Sequence, residues 1–97
     1  MDNGYYSQKP CHTGISWKKI SGGEIIINTH DSRQIRLTPI GSDIFEKCNG
    51  RQTISEISDY LRGKYNQLTA DQIESETYQF LYLMQSLGVL IIDWDEF

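Results

Sequence analysis

The hydrophobic pattern changes period near Thr38. Upstream, β-branched and aromatic residues come in short runs broken by turn signals. In Ile15–Ile20, Ile15 and Trp17 share one face and Ser16 and Lys18 the other. Ser21-Gly22-Gly23 is the kind of turn that joins adjacent antiparallel strands. Glu24–Thr29 carries the run Ile25-Ile26-Ile27, and His30-Asp31-Ser32 can turn the chain again. Arg33–Thr38 alternates cleanly, with Ile35 and Leu37 inward and Gln34, Arg36 and Thr38 outward. These runs predict a three-stranded meander.

Downstream the spacing is helical. Thr38 suits an N-cap and Pro39 the first helical position. Ile40, Ile44, Phe45 and Cys48 make one stripe, and Asn49-Gly50 supplies a stop. Thr53 with Glu56 three residues on is a capping box, opening a second helix with the stripe Ile54, Ile57, Tyr60/Leu61 and Tyr65. A third helix opens at Thr69, with Asp71 or Gln72 to complete its cap, and runs to about Leu87, where Gly88 ends it. Ile73, Thr77, Phe80, Met84 and Leu87 form its expected inner face, flanked by Leu81 and Leu83. Val89–Asp93 reads as a short extended or irregular exit.

The predicted order is β-β-β-α-α-α, an α+β fold resembling a winged helix-turn-helix. Residues 1–14 are polar and Gly/Pro-punctuated, a flexible arm ahead of one domain over residues 15–97.

Charge is segregated along the chain. Residues 1–67 hold all nine Lys and Arg against seven acidic side chains; residues 68–97 hold six acidic side chains and no cation. A helix-turn-helix core raises the alternative of a DNA-binding regulator, but a cation-free third helix cannot neutralise phosphates. If the second helix were the reader, Arg62 and Lys64 would serve it, beside Glu56 and Asp59. Cys11 and Cys48 lie in no CxxC, and His12 and His30 give no metal-ligand spacing. The expectation is two reduced thiols, surface histidines, no catalytic constellation, no metal and no cofactor. No apolar run suits a signal peptide or a membrane span, so the expected setting is the cytoplasm.

What remains is a surface for another polypeptide. The third strand ends the meander, so one of its edges is expected to be open to an extended guest. Certain residues sharpen this. Leu37-Thr38-Pro39-Ile40-Gly41 followed by Ile44-Phe45 resembles the strand-to-helix junction of the PqqD-like family. The run from Cys48 to Ile57 resembles that family's Gly…Thr-hydrophobic turn, and Glu76-Thr77-Tyr78-Gln79-Phe80-Leu81 leading to Leu87-Gly88-Val89-Leu90 resembles its third helix. Glu76 stands where Asp is more usual, and Thr38 where Asn is common.

The resemblance implies a peptide chaperone, or recognition element, for ribosomally synthesised and post-translationally modified peptides (RiPPs). By that likeness the leader of a precursor peptide pairs with the third strand against the third helix. A separate radical SAM enzyme or leader peptidase then acts on the peptide, in a PQQ-like, lasso or related pathway. The expected binding residues are Arg33, Gln34, Ile35, Arg36 and Leu37 for strand pairing, with Arg33 and Arg36 able to meet acidic leader residues. On the third helix the flank Glu76, Gln79, Phe80, Leu83 and Leu87 competes with the flank Glu74, Leu81 and Gln85. An open edge also allows self-pairing into a homodimer.

Overall fold

The structure, a computed structural model, describes residues 4–92. Five strands and three helices follow in the order β1 (Cys11–His12), β2 (Trp17–Lys19), β3 (Ile25–Asn28), β4 (Gln34–Arg36), α1 (Pro39–Lys47), α2 (Ile54–Lys64), α3 (Ala70–Ser86) and β5 (Leu90–Ile91). The expected meander is present as an antiparallel sheet of order β2-β3-β4. Its strands are shorter than the alternating runs, because a run of suitable residues outlasts the stretch where a partner is in register.

The turn between β2 and β3 needs glycine. Gly22 and Gly23 have φ values of 93° and 91°, where a side chain would be strained. Ile25 and Ile27 of β3 enter the core, while Ile26 on the other face is half-buried. Trp17 is 38% exposed and sets its ring edge against Phe45, 5.2 Å between centroids.

The helix starts follow from local chemistry. Thr38 Oγ1 accepts the Gly41 N–H at 3.1 Å, and Pro39 occupies the first turn. Thr53 and Glu56 form a reciprocal capping box on α2, and Thr69 and Gln72 form another on α3. Ile44 and Phe45 of α1, Ile54, Ile57 and Leu61 of α2, and Ile73, Leu81 and Met84 of α3 meet β3, Leu37, Val89 and Leu90 in one core. Ser42 ties helix to sheet: its buried hydroxyl accepts the Ile25 N–H at 3.0 Å.

Three expectations about faces need correction. Leu81 is fully buried, whereas Phe80 and Leu87 are half-buried and Leu83 is 53% exposed. The core of α3 is therefore Ile73, Thr77, Leu81 and Met84, rotated from the expected stripe. Tyr60 lies on the outside of α2 with the Lys47 ammonium 4.2 Å above its ring. His12 is half-buried, stacked on Phe45 at 4.0 Å, with its Nε2 bonded to the Phe45 carbonyl at 2.7 Å.

The polar N-terminal segment also contributes structure. β1 pairs antiparallel with β5, Cys11 opposite Ile91 and His12 opposite Leu90. Ahead of it, the carbonyls of Tyr6, Gln8 and Pro10 accept the N–H groups of Ser55, Ile54 and Gly50 at 2.9–3.0 Å. Two of those donors belong to the first turn of α2, where N–H groups have no partner within the helix. Both cysteines are free thiols, Cys11 exposed and Cys48 buried, where desolvation pushes the Cys48 thiol up.

Removing the Ser42 hydroxyl tests the sheet-to-helix tie. Ser42→Ala strands the Ile25 N–H in the core and should lower unfolding free energy by about 1–3 kcal/mol in a urea titration. An unchanged midpoint would show that this N–H finds another acceptor.

Candidate functional site

β4 is the last strand of its sheet, and among the described residues no strand pairs with its far side. The register sets which backbone groups face that side. Ile26 lies opposite Arg36, Ile27 opposite Ile35 and Asn28 opposite Gln34. The Leu37 N–H bonds the Ile25 carbonyl and the Thr29 N–H bonds the Arg33 carbonyl, both at 2.8 Å. Antiparallel ladders alternate between bonded and non-bonded pairs. Residues 33, 35 and 37 thus turn their backbone groups toward β3, and Gln34 and Arg36 turn theirs to the open edge. Thr38 continues the alternation with its N–H, while its carbonyl is taken by Ser42. Pro39 ends the ladder because it has no N–H.

α3 and the turn after it meet the chain beyond each end of β4. A Cβ on Gly41 would lie 3.1 Å from Phe80 Cε1, so the Phe80 ring sits against the first turn of α1. At the other end, a Cβ on Gly88 would lie 3.5 Å from the His30 ring, at the tip of the β3–β4 hairpin. The C-terminal half of α3 therefore runs antiparallel to β4 and is anchored near both of its ends. The flank of α3 that carries Phe80 also carries Glu76, Leu83 and Leu87 at i, i+3/i+4 spacing, with Gln79 at its outer margin. Ile35 and Ile40 are half-buried at the base of the same seam. Apolar surface that packing leaves half-covered is thus gathered between β4, the start of α1 and α3.

The competing flank is occupied by the chain itself. Tyr6 Oη donates to Glu74 Oε1 at 3.2 Å, Tyr5 and Tyr78 have ring centroids 5.9 Å apart, and Arg62 pairs with Glu74 at 3.2 Å. Leu81, the centre of that flank, is in the core. Burial and nearby Glu74 raise the Tyr5 phenol well above its usual range. Tyr78 and Tyr82 stack on the outer surface of α3 at 6.2 Å.

The arginines expected to meet a guest are already partnered. Arg36 donates through Nε and Nη2 to Glu24 Oε1 at 2.9 and 2.6 Å, and Arg33 donates to Asp31 Oδ2 at 2.8 Å. Gln34 Nε2 bonds Asn28 Oδ1 at 3.1 Å. A polar recess of about 140 Å³ lies between the β2–β3 turn, α1 and the end of α2. Its charges are also matched, Lys19 to Glu46 and Lys64 to Asp43, each at 2.9 Å. Tyr65 donates to Asp43 at 2.5 Å; desolvation and that bond push its phenol up to about 12. Among the described residues no group of three or more His, Cys, Asp or Glu could hold a metal ion, and no helix is long and apolar enough to cross a membrane.

The signal for the occupied flank was present but faint: Tyr5-Tyr6 is the one bulky pair in a polar segment, and bulk in such a segment needs a surface to cover. The family model for coenzyme PQQ synthesis protein D (PqqD) matches residues 23–90, which leaves β1 and β2 outside the match. No curated protein and no solved structure matches the chain.

The hairpin next to the edge has a pH signature. Hydrogen bonds from Arg33 and Thr29 lower the Asp31 carboxyl from 3.8 to about 2. A lowered folded-state value stabilises the hairpin above about pH 4 and the effect fades as pH falls through 2. Carboxyl-carbon NMR should show that midpoint, and Arg33→Ala should return it toward 3.8.

Proposed function

The chain belongs to the PqqD family, whose description places it in coenzyme PQQ synthesis, and from that membership we propose that it holds the leader of a precursor peptide as a fourth strand on β4. The observation that carries this is the pair of residues, Gln34 and Arg36, whose backbone donors and acceptors face away from β3. An extended peptide completes such a ladder with main-chain bonds, and its alternate side chains then supply selectivity. Ile35 and Leu37 form the base of the site. Phe80, Leu83 and Leu87 form its apolar wall, with Gln79 at the margin and Glu76 charged at one end. Arg33 and Arg36 frame the outer side, and their ion pairs with Asp31 and Glu24 hold them in place.

In this role the chain makes no bond and breaks none. It presents the bound precursor to a separate enzyme of peptide maturation, a radical SAM enzyme or a leader peptidase, and we place the process in the cytoplasm. Nucleic acid is disfavoured as a partner. α3 has no cation, and the two cations at the end of α2 are committed, Arg62 to Asp59 and Glu74 and Lys64 to Asp43. An open β4 edge also permits two copies to pair, which would compete with the guest.

Arg36→Pro tests the reading, since proline removes an N–H directed at the guest and leaves the bonds to β3 intact. The ligand to titrate by calorimetry is the leader segment of any short precursor found encoded beside this chain. The variant should keep its melting temperature within a few degrees and lose at least tenfold in affinity, the order of one charge-free main-chain bond with its buried partner left unsatisfied. Undiminished affinity in a folded variant would rule out the β4 edge.

A further inference from the structure

Most cations of this chain are held by carboxylates, and the exceptions are not scattered. Lys19, Arg33, Arg36, Arg62 and Lys64 each form an ion pair. Among the described residues Lys9, Lys18, Lys47 and Arg51 form none. Lys18 is on β2, on the sheet face opposite Trp17. The other three gather at the connection between α1 and α2.

Backbone bonds bring them there. The Gly50 N–H bonds the Pro10 carbonyl and the Ile54 N–H the Gln8 carbonyl, both at 2.9 Å. Lys9 lies between those two bonds, and Arg51 is one residue from the first of them on the facing segment. Both are exposed, while Pro10 is buried. Lys47 belongs to the last turn of α1, with its ammonium 4.2 Å above the Tyr60 ring.

No carboxylate answers this charge. Residues 47–53 include no acid. Of the acids on either side, Glu46 is paired with Lys19 and Asp59 with Arg62, and Glu56 holds the Thr53 N–H at 2.8 Å. The first N–H groups of α2 are not the attraction either, since they already donate to Gln8, Tyr6 and Thr53. Like charges on facing segments repel. The cluster thus works slightly against the free fold, and a bound anion relieves it. It also lies at the far end of α1 from β4: nine helical residues separate the two by about 13 Å. An occupant here leaves the β4 edge open.

We propose that the α1–α2 connection is a docking surface for an acidic segment of a second protein. Arg51 clasps one carboxylate through its planar fork, and Lys9 and Lys47 meet its neighbours. Charge complementarity sets the class of partner. Three cations suit a short run of carboxylates, whereas a nucleic acid strand carries its charge onward over a chain whose net charge is −4. The contact is independent of what β4 binds.

Fluorescein-labelled hexaglutamate, titrated with the full chain and read by fluorescence anisotropy, tests this. It should bind at low salt and weaken as salt screens the charges. Arg51→Glu and Lys9→Glu should each cost about tenfold in affinity. Arg51→Lys should cost less than that, since it keeps the charge and loses the fork. Lys18→Glu, an equal change of charge elsewhere, should cost less than about twofold. Lys9→Gln and Arg51→Gln should melt no lower than the unsubstituted chain. A lower melting temperature in either would make the cluster structural and overturn the proposal. So would an absence of binding at low salt, an equal loss in Lys18→Glu, or tighter binding of labelled dodecathymidylate through the same residues. Hexaglutamate binding that Arg36→Pro removes would belong to β4 and would overturn it too. Self-association that Arg51→Glu abolishes would give the surface to a second copy of this chain instead.

Discussion

A backbone ladder that has a partner on one side only is the constraint on which the rest of this structure depends. Each residue of an extended strand carries one donor and one acceptor, and successive residues aim them in opposite directions. Ile35 pairs with Ile27, the Leu37 N–H bonds Ile25 and the Arg33 carbonyl accepts from Thr29, while the groups of Gln34 and Arg36 are left outside. Nothing in the side chains can change that division, since a shift of one residue would carry Ile35 and Leu37 out of the core. Burial of the inner face thus fixes the register, and the register fixes what the open edge offers.

The helices decide where that edge leads. Gly41 and Gly88 let Phe80 and His30 come close at opposite ends of β4, which lays the second half of α3 along the strand. The N-terminal segment does the opposite work on the far flank of α3. Its carbonyls complete the first turn of α2, and its Tyr5 and Tyr6 lie against Tyr78 and Glu74. One flank is covered by the chain and the other is left half-open, so a symmetrical helix acquires a single seam. That covering segment lies outside the residues matched by the family model.

Charge works mainly by being used up. The C-terminal third carries six acidic side chains and no Lys or Arg, while the cations of the β4 hairpin and of α2 sit in ion pairs at the surface. Such pairs stabilise little. They hold long side chains in place and leave the apolar seam as the unsatisfied part of this surface.

Sequence alone determined the order of the meander and the three helices, the turn at Gly22-Gly23, the three threonine caps and the family resemblance, because each rests on neighbours a few residues apart. It also picked out β4 as a terminal strand, from its place in a meander. Only the tertiary structure decided that Leu81 is core and Leu83 surface, that Gln34 and Arg36 rather than Arg33 face outward with their backbone, and that a polar N-terminal segment forms β1. The physical reason is the same in each case. A helical stripe wide enough to include Phe80, Leu81 and Leu87 does not say which edge meets the neighbouring helix, and a two-residue strand whose bonds go to distant carbonyls and N–H groups leaves no period to read.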